Sequence, residues 1–268
     1  MTESAQAAFP SDSEARRQSR RITRRSFLTG AVLASAGLAG WEWLRRASPE
    51  DGIPWPLRRV LQFNERLAAA LFGASRLAPT YTPSRAAARP RVNGAIGLDT
   101  PIDPGTWRLR VEDAAGRNTS LSLDSITKLP RTEMVTELKC IEGWAEIIHW
   151  GGVPLRDFAA HYRFGTRSGD ALDPQRHPTD LWTHIYLATP DHDYYVGLDI
   201  ASALHPQTLL CWEMNGRPLP ANHGAPLRLV IPVKYGIKNI KRIGIIRFQD
   251  ERPSDYWAER GYDWYAGL

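Results

Sequence analysis

Polar and apolar residues alternate around Met134, Thr136 and Leu138, and this two-residue period predicts a strand running up to Cys140. The pattern breaks at Gly143-Trp144. A second turn is expected at Gly151-Gly152, leading into a helix with Pro154 at its first position, where the missing N–H costs nothing. Earlier in the chain, Leu57, Val60, Leu61, Leu67, Ala68 and Leu71 form one stripe of a helix over Pro56 to Phe72, with Arg58, Arg59, Glu65 and Arg66 mostly opposite. Core packing is the common fate of such a stripe, so this helix is expected to lie against the body of the protein, a membrane-surface helix being the alternative. Pro79 to Pro104 is proline-rich and reads as an extended wrapping segment. Trp107, Leu109 and Val111 alternate with arginines in a half-buried strand that turns at Ala114-Ala115-Gly116 into Ser120 to Leu123. Asp124 is expected to cap a short helix ending before Pro130.

Beyond the Cys140 loop, Arg163 to Asp180 is polar and rich in Gly and Pro, a surface excursion. Thr183 to Ala188 and Tyr194 to Leu198 form a predicted hairpin, and Asp199 begins a short helix. Thr208 to Met214, Leu227 to Val233 and Lys241 to Phe248 complete the strands. Asn215-Gly216 is the strongest short hairpin signal in the chain, since a type I′ turn needs positive φ at both central residues. The fold class is α+β, dominated by mixed and antiparallel strands with helices packed outside.

Composition adds a leader. The net charge is +5, and residues 1–40 carry six arginines against Glu3, Asp12 and Glu14, leaving +2 for the remainder. That remainder is too nearly neutral for a nucleic-acid-binding protein, and no basic patch is interleaved with aromatics. Thr23-Arg24-Arg25-Ser26-Phe27-Leu28 precedes a mildly apolar Gly/Ala-rich run to Trp43 and resembles a Tat export signal. Residues 1–44 are therefore expected to be a signal directing the chain to the periplasm. Ala34-Ser35-Ala36 is a small-residue cleavage candidate, and retention as an N-terminal membrane anchor is the alternative. The apolar run is about 16 residues long, near the lower limit for a spanning helix. Residues 45–88 form a helix and wrapping segment, and residues 89–268 the main domain.

The candidate chemistry centres on a cysteine. Cys140 and Cys211 are the two in the chain, so at most one disulfide can form. On spacing alone, Cys140 has three readings: a small buried hydrophobe, a disulfide partner of Cys211, or a soft thiolate ligand to a transition metal. The seven histidines offer no close metal-ligand spacing. No Gly-x-Ser-x-Gly, P-loop, Rossmann or Cys-x-x-Cys-His pattern is present.

Cys-Ile-Glu-Gly-Trp at 140–144, followed by Trp-Gly-Gly-Val-Pro-Leu at 150–155, resembles the molybdenum-cysteine segment of the sulfite oxidase superfamily. It is most similar to the branch containing the periplasmic protein-methionine-sulfoxide reductase catalytic subunit. A second block, Asn215 to Ile243, also resembles this superfamily, so the likeness spans roughly Arg89 to Phe248 and leaves the N-terminal stretch uncovered. The resemblance implies a molybdopterin oxidoreductase with Cys140 as catalytic residue and metal ligand. Arg228 and Lys241, with the backbone around Asn239 and Ile240, would hold the cofactor phosphate, and His223 would contact the pterin. Thr189 and Asn93 match two further cofactor-contacting positions. Cys211 is read as a buried strand residue.

The resemblance also implies a small-molecule substrate and a separate electron partner, either a haem-bearing membrane subunit or a cytochrome. A monomeric catalytic subunit without the C-terminal immunoglobulin-like domain of sulfite oxidases is expected. The sequence departs from its relatives near the metal. Ile141, Glu142, Gly143 and Trp144 stand where sulfite oxidases carry basic residues, and Gly94-Ala95-Ile96-Gly97 replaces a Tyr-Glu pair of the sulfoxide reductase branch. Reduction of a neutral S- or N-oxide is the expected reaction. A sulfite dehydrogenase and a metal-free binding module are the alternatives.

Overall fold

The computed structural model describes residues 12–267, so the part of the leader before Asp12, Glu3 included, lies outside the described residues. The chain divides into two compact units. One runs to Glu50 and includes Pro54–Leu57, and the other comprises Asp51–Ile53 and the chain from Arg58 onward.

The first unit is built on one long helix, α1 (Asp12–Arg46). Glu42 pairs with both Arg45 and Arg46 in its last turn, at 2.9 and 2.7 Å. Arg24, Arg25 and the apolar side chains Phe27, Leu28, Val32, Leu33, Leu38, Trp41 and Trp43 are all exposed on this helix. The small-residue site Ala34-Ser35-Ala36 sits in the helix interior. Among the described residues no helix is long and apolar enough to cross a membrane. Two short strands, β1 (Pro49–Glu50) and β2 (Ile53–Pro54), lead to α2 (Trp55–Leu71).

From Arg58 onward α2 belongs to the second unit, and here the expectation of an inward apolar stripe is corrected. Leu57, Val60, Leu67 and Leu71 are exposed, while Leu61 and Ala68 are only partly buried. The residue at the centre of the inner face is Arg58. Its guanidinium donates to the carbonyls of Ala258 at 2.8 Å, Tyr262 at 2.9 Å and Asp51 at 2.5 Å. Glu65 also turns inward, pairing with Arg252 at 2.8 Å. Polar anchoring by Arg58 and Glu65, together with packing of Ala68 against the Ala258, Trp264 and Tyr265 cluster, therefore sets the rotation of the helix.

The second unit holds two five-stranded sheets. In the first, β5 (Thr132–Lys139), β6 (Ala145–Pro154), β9 (Leu209–Met214) and β10 (Arg217–Pro218) lie side by side, and β11 (Arg228–Val230) also pairs with β9. Every pairing in it is antiparallel. The second has the order β4 (Asn118–Leu121), β3 (Leu109–Asp113), β12 (Ile245–Gln249), β7 (His184–Ala188), β8 (Tyr195–Asp199). Only β3 and β12 run parallel. Three short helices complete the unit: α3 (Leu123–Thr127), α4 (Leu155–His161) and α5 (Ile200–Ala203).

Alternation along β9, with one slip at Trp212 where the pairing with β6 skips a residue, explains how the first sheet is buried on both faces. Leu210 and Trp212 join the main core with Leu109, Val111, Leu187, Ile246 and Phe248 of the second sheet. Leu209, Cys211 and Met214 join a second cluster with Trp150, Ile148 and Val230. A strand covered on both faces reads as a continuous apolar run, as Leu-Leu-Cys-Trp does here.

Local signals mostly hold. Asn215 and Gly216 have φ of +54° and +69°, as a type I′ turn between β9 and β10 requires. Asp199 caps α5, its carboxylate accepting from the Ser202 amide at 2.8 Å. The cap of α3, however, is Ser122 and not Asp124, with Ser122 Oγ accepting from the Ser125 amide. Lys241 to Ile243 precede β12 rather than belonging to it. The expected turn at Gly151-Gly152 is also corrected: both residues lie inside the ten-residue strand β6, where the register against β9 shifts. A Cβ on Gly152 would sit 2.1 Å from the Leu210 carbonyl oxygen, so these glycines permit close strand approach at a bulge. Pro154 consequently ends the strand and caps α4 instead of opening it.

Candidate active site

β5 and β6 form a hairpin whose five-residue loop, 140–144, is closed by the Cys140 amide donating to the Trp144 carbonyl at 2.9 Å. Gly143 supplies φ of +87° at the loop's sharp corner. This holds Cys140 at the end of a rigid strand with its side chain half-exposed. Both cysteines are free, which removes the disulfide reading. Cys211 is fully buried, and burial pushes its thiol far up from the ordinary range.

Asn93 approaches from the wrapping segment, its Nδ2 lying 3.7 Å from Cys140 Sγ and 3.5 Å from Glu142 Oε2. Trp144 Nε1 donates to the same Glu142 oxygen at 3.0 Å. The Arg91 guanidinium lies over the Trp144 ring at 4.9 Å, and the Arg91 amide donates to Glu146 at 2.7 Å. The backbone of Cys140 is supported by the turn at Gly236–Lys238, since a Cβ on Gly236 would stand 3.7 Å from Cys140 Cα. Tyr194 braces that turn from behind, donating to the Ile237 carbonyl at 2.5 Å.

Lys241 joins this group to the second sequence block. Its ammonium donates to the carbonyls of Asn93 at 2.7 Å, Gly94 at 2.8 Å and Asn222 at 2.9 Å. Gly224, at φ +102°, lets the loop after His223 press against it; a Cβ there would be 2.6 Å from Lys241 Cβ. Arg228 is buried, stacks on Trp150 at 4.8 Å, and donates to the carbonyls of His223 at 3.0 Å and Asn239 at 3.2 Å. Its fork thus ties together the two loops that carry the other expected residues. The Asn239 side chain accepts from the Ile231 amide at 2.8 Å and its own amide donates to the Gly236 carbonyl at 2.9 Å, so Asn239 shapes the turn, while Ile240, a core residue, has only backbone to offer. A cleft of about 730 Å³ runs beside His223, lined also by Arg89, Val92, His149, Arg217 and Asn222.

The electrostatics of this group are lopsided. Burial first, and then Arg228 and Lys241, push His223 down to about 4, leaving a neutral ring at neutral pH. Burial and Arg228 push Lys241 down to about 8, and burial pushes Arg228 down to about 10. Among the described residues neither cation is hydrogen-bonded to a carboxylate, both donating to carbonyls instead. Buried cations without counter-ions are costly, and a bound anion would relieve that cost.

The structure therefore brings Asn93, Cys140, His223, Arg228, Asn239, Ile240 and Lys241 into one connected set. Thr189 reaches it through Tyr194, whose hydroxyl donates to the Ile237 carbonyl. The Thr189 hydroxyl closes the β7–β8 turn, donating to Asp191 at 2.5 Å and accepting from the Tyr194 amide at 3.1 Å. Arg91 and the Gly236 turn were missed in the sequence. Arg91 stands two residues before Asn93 in a stretch read only as wrapping, and a small turn residue carries no signal of what it supports.

The site thus combines a half-buried thiol beside an amide donor with two cations, Arg228 and Lys241, that donate to carbonyls within the same network. A family model described as the oxidoreductase molybdopterin binding domain matches residues 97–257, and the chain belongs to that family. Its fold is of the sulfite-oxidase type and its cofactor is molybdopterin. The putative protein-methionine-sulfoxide reductase subunit YedZ1 of Azospira oryzae is 30% identical over 92% of this chain and 87% of its own length. The protein-methionine-sulfoxide reductase catalytic subunit MsrP of Xanthomonas campestris pv. campestris is 38% identical over 57% of this chain. The chain spans only 48% of that reductase's length. The sulfane dehydrogenase SoxCD of Paracoccus pantotrophus overlays with a TM-score of 0.47 at 17% identity, over 57% of this chain and 40% of that one.

The residues present fit the cofactor. Its phosphate would meet Lys241 and, behind it, Arg228, neither hydrogen-bonded to a carboxylate among the described residues, and its metal would meet the half-buried sulfur of Cys140.

Proposed function

We propose that this chain is a catalytic subunit that reduces a small neutral S- or N-oxide at a molybdenum ligated by Cys140. The observation that carries this reading is the composition of the cysteine's mouth: Asn93 as a hydrogen-bond donor, Glu142 as an anion, and Trp144 as an apolar wall. When bound, the molybdenum on its pterin dithiolene supplies the two-electron centre for oxygen-atom transfer. Cys140 holds the metal as a thiolate. Asn93 is placed to donate to the oxide oxygen, and Glu142 orients both Asn93 and Trp144 through its carboxylate. Lys241 and the backbone amide of Ile240 would hold the cofactor phosphate, His223 would face the pterin, and Arg228 and Asn239 hold their loops in place. Thr189 shapes the β7–β8 turn through Asp191 and Tyr194. The relatives' names specify sulfoxide reduction, which agrees with this reading.

Sulfite is disfavoured by charge. A dianion approaching the cysteine meets Glu142, while Arg91 is stacked on Trp144 and the Lys241 ammonium is held by three carbonyls. Assayed on one metal-loaded preparation, reduction of a neutral oxide by reduced viologen should exceed sulfite oxidation in kcat/KM by at least about tenfold, or about 1.4 kcal/mol. Efficient sulfite oxidation without oxide reduction would overturn the assignment.

The subunit is exported to the periplasm by the Tat pathway and is monomeric. It receives electrons from a separate partner, a haem-bearing membrane subunit or a cytochrome, a division of labour supported by the word subunit in both relatives' names. Export rests on Arg24 and Arg25, both exposed on α1. Replacing both with lysine preserves charge but removes the guanidinium pair, so the precursor should accumulate in the cytoplasm. Undiminished periplasmic activity in that variant would refute the export reading.

A further inference from the structure

Past Trp264, whose Nε1 is anchored to the Pro253 carbonyl at 3.0 Å, residues 265–267 fold back over the segment that leads into the cofactor site. The Tyr235 amide donates to the Ala266 carbonyl at 3.0 Å, and Lys234 forms a backbone bridge with Gly267. Ala266 adopts φ of +47°, unfavourable for a residue with a Cβ, and its amide is held there by the Asp263 carboxylate at 2.9 Å.

Beneath this strap lies Lys234. Its side chain is 1% exposed, and among the described residues its ammonium has no hydrogen-bond acceptor. The ammonium sits 2.8 Å from the centroid of the Tyr265 ring and 5.5 Å from that of Phe72. Asp199 is 3.8 Å away, but its two oxygens already accept from the Ser202 amide and hydroxyl. His205 is sealed in a similar way. The Gln207 amide donates to its Nδ1 at 3.2 Å, which puts the ring proton on Nε2, and that N–H is buried without a partner while the ring packs on Phe72.

A buried ammonium without acceptors is costly, and contact with an aromatic face recovers only part of that cost. Only the charged form bears it, so protonation favours any conformation that wets the amine. Lifting Tyr265, the ring in closest contact, is the smallest movement that does so. The charges facing Lys234 come from every element packed on it: Asp199 at the end of β8, Glu65 on α2, Asp263 before the strap and Lys238 in the turn beyond. Burial outweighs the attraction of the three carboxylates, Lys238 adds repulsion, and the amine is pushed down to about 7. Burial also pushes the Tyr265 phenol up to about 12 and His205 below its ordinary value, so neither competes in the range just above neutrality.

We propose that residues 265–267 are a proton-linked strap, released when Lys234 is protonated and closed over its neutral amine. The segment the strap holds runs through the Gly236–Lys238 turn behind Cys140 and on to Lys241, so acid loosens the support of the cofactor site.

Hydrogen exchange of the full chain, read by NMR at the Tyr235 amide and corrected for the intrinsic rate, tests this. Protection there should rise by up to about tenfold per pH unit between about pH 7 and pH 9, the slope of one linked proton. The Leu229 amide, bonded to the Ile240 carbonyl at 2.9 Å, reports opening of the whole fold and should be better protected than Tyr235 throughout. Lys234→Met keeps the apolar contacts and has no proton to bind. It should abolish the slope and raise Tyr235 protection at neutral pH. A flat wild-type profile would overturn the proposal whether or not the variant folds. Equal protection at Tyr235 and Leu229 would mean that the strap opens only with the whole fold, and would overturn it too. A slope that persists in Lys234→Met would assign the titration to Lys238 or another group, with the same consequence.

Discussion

Cys140→Ser is expected to lower turnover by at least about a thousandfold, the scale of losing a group that acts only at the reacting centre. The reason lies in the donor atom and in its placement. A thiolate is soft and binds a high-valent sulfur-ligated metal well, whereas a serine hydroxyl is hard and seldom ionised. No compensating ligand is at hand, since Cys211, the other sulfur of this type, is sealed between β6 and β11. X-ray absorption on the molybdenum-loaded variant should show one metal–sulfur distance fewer. Cys211→Ser is the matched control. Its hydroxyl would sit unpaired in an apolar cluster and lower stability by about 1–3 kcal/mol, with the metal retained. Full activity in Cys140→Ser, or molybdenum lost only from Cys211→Ser, would reverse the assignment of the two cysteines.

What could be read from the residues divides along physical lines. Features governed by local chemistry were legible: the Asn215-Gly216 turn, the Asp199 cap, the run of β9 and the loop after Cys140 all appear where short-range rules put them. Features governed by distant neighbours were not. Gly151-Gly152 resembles a turn in isolation, and only the Leu210 carbonyl facing Gly152 makes it a bulge within a strand. The stripe on α2 has the period of a core helix. Its rotation is set by the carbonyls of Ala258 and Tyr262, some two hundred residues away in sequence. The candidate site follows the same division. Cys140 and Lys241 stand out because their segments have a recognisable pattern, whereas Arg91 acquires its place only when the wrapping segment is laid over Trp144. A helix that buries arginine and exposes leucine breaks the usual rule, and such breaks concentrate where a protein has something else to satisfy.

The support beneath Cys140 yields the largest expected effect on stability. Lys238 and Asp255 are both almost wholly buried and pair at 2.5 Å. The two charges are not equally dependent on each other. Apart from Lys238, the Asp255 carboxylate accepts from the amides of Gly197 at 3.2 Å and of Trp257 and Ala258 at 3.1 Å. Beyond Asp255, Lys238 has the Gly197 carbonyl at 2.8 Å, the face of Trp264 at 4.6 Å and the weaker, non-bonded charge of Asp263. Asp255→Asn, which keeps the shape and an oxygen acceptor, should therefore cost about 3–5 kcal/mol by leaving a buried ammonium without a counter-ion. Lys238→Met should cost less, about 1–3 kcal/mol, because three amides still hold the carboxylate.

Titration supplies an independent check on that asymmetry. Burial lowers the Lys238 pKa and Asp255 holds it up, so removing the aspartate charge lowers it further. Above that lowered value the folded variant has released a proton that the unfolded chain keeps until its ordinary lysine range. Stability of Asp255→Asn should then rise with pH over that interval, whereas Lys238→Met should lack the rise. Both variants loosen the Gly236–Lys238 turn that backs Cys140, so residual molybdenum occupancy should fall in the same order as stability. Urea unfolding across pH measures both quantities. If Asp255→Asn proves no less stable than Lys238→Met, the ammonium is not the dependent partner and the turn is held by its backbone contacts alone.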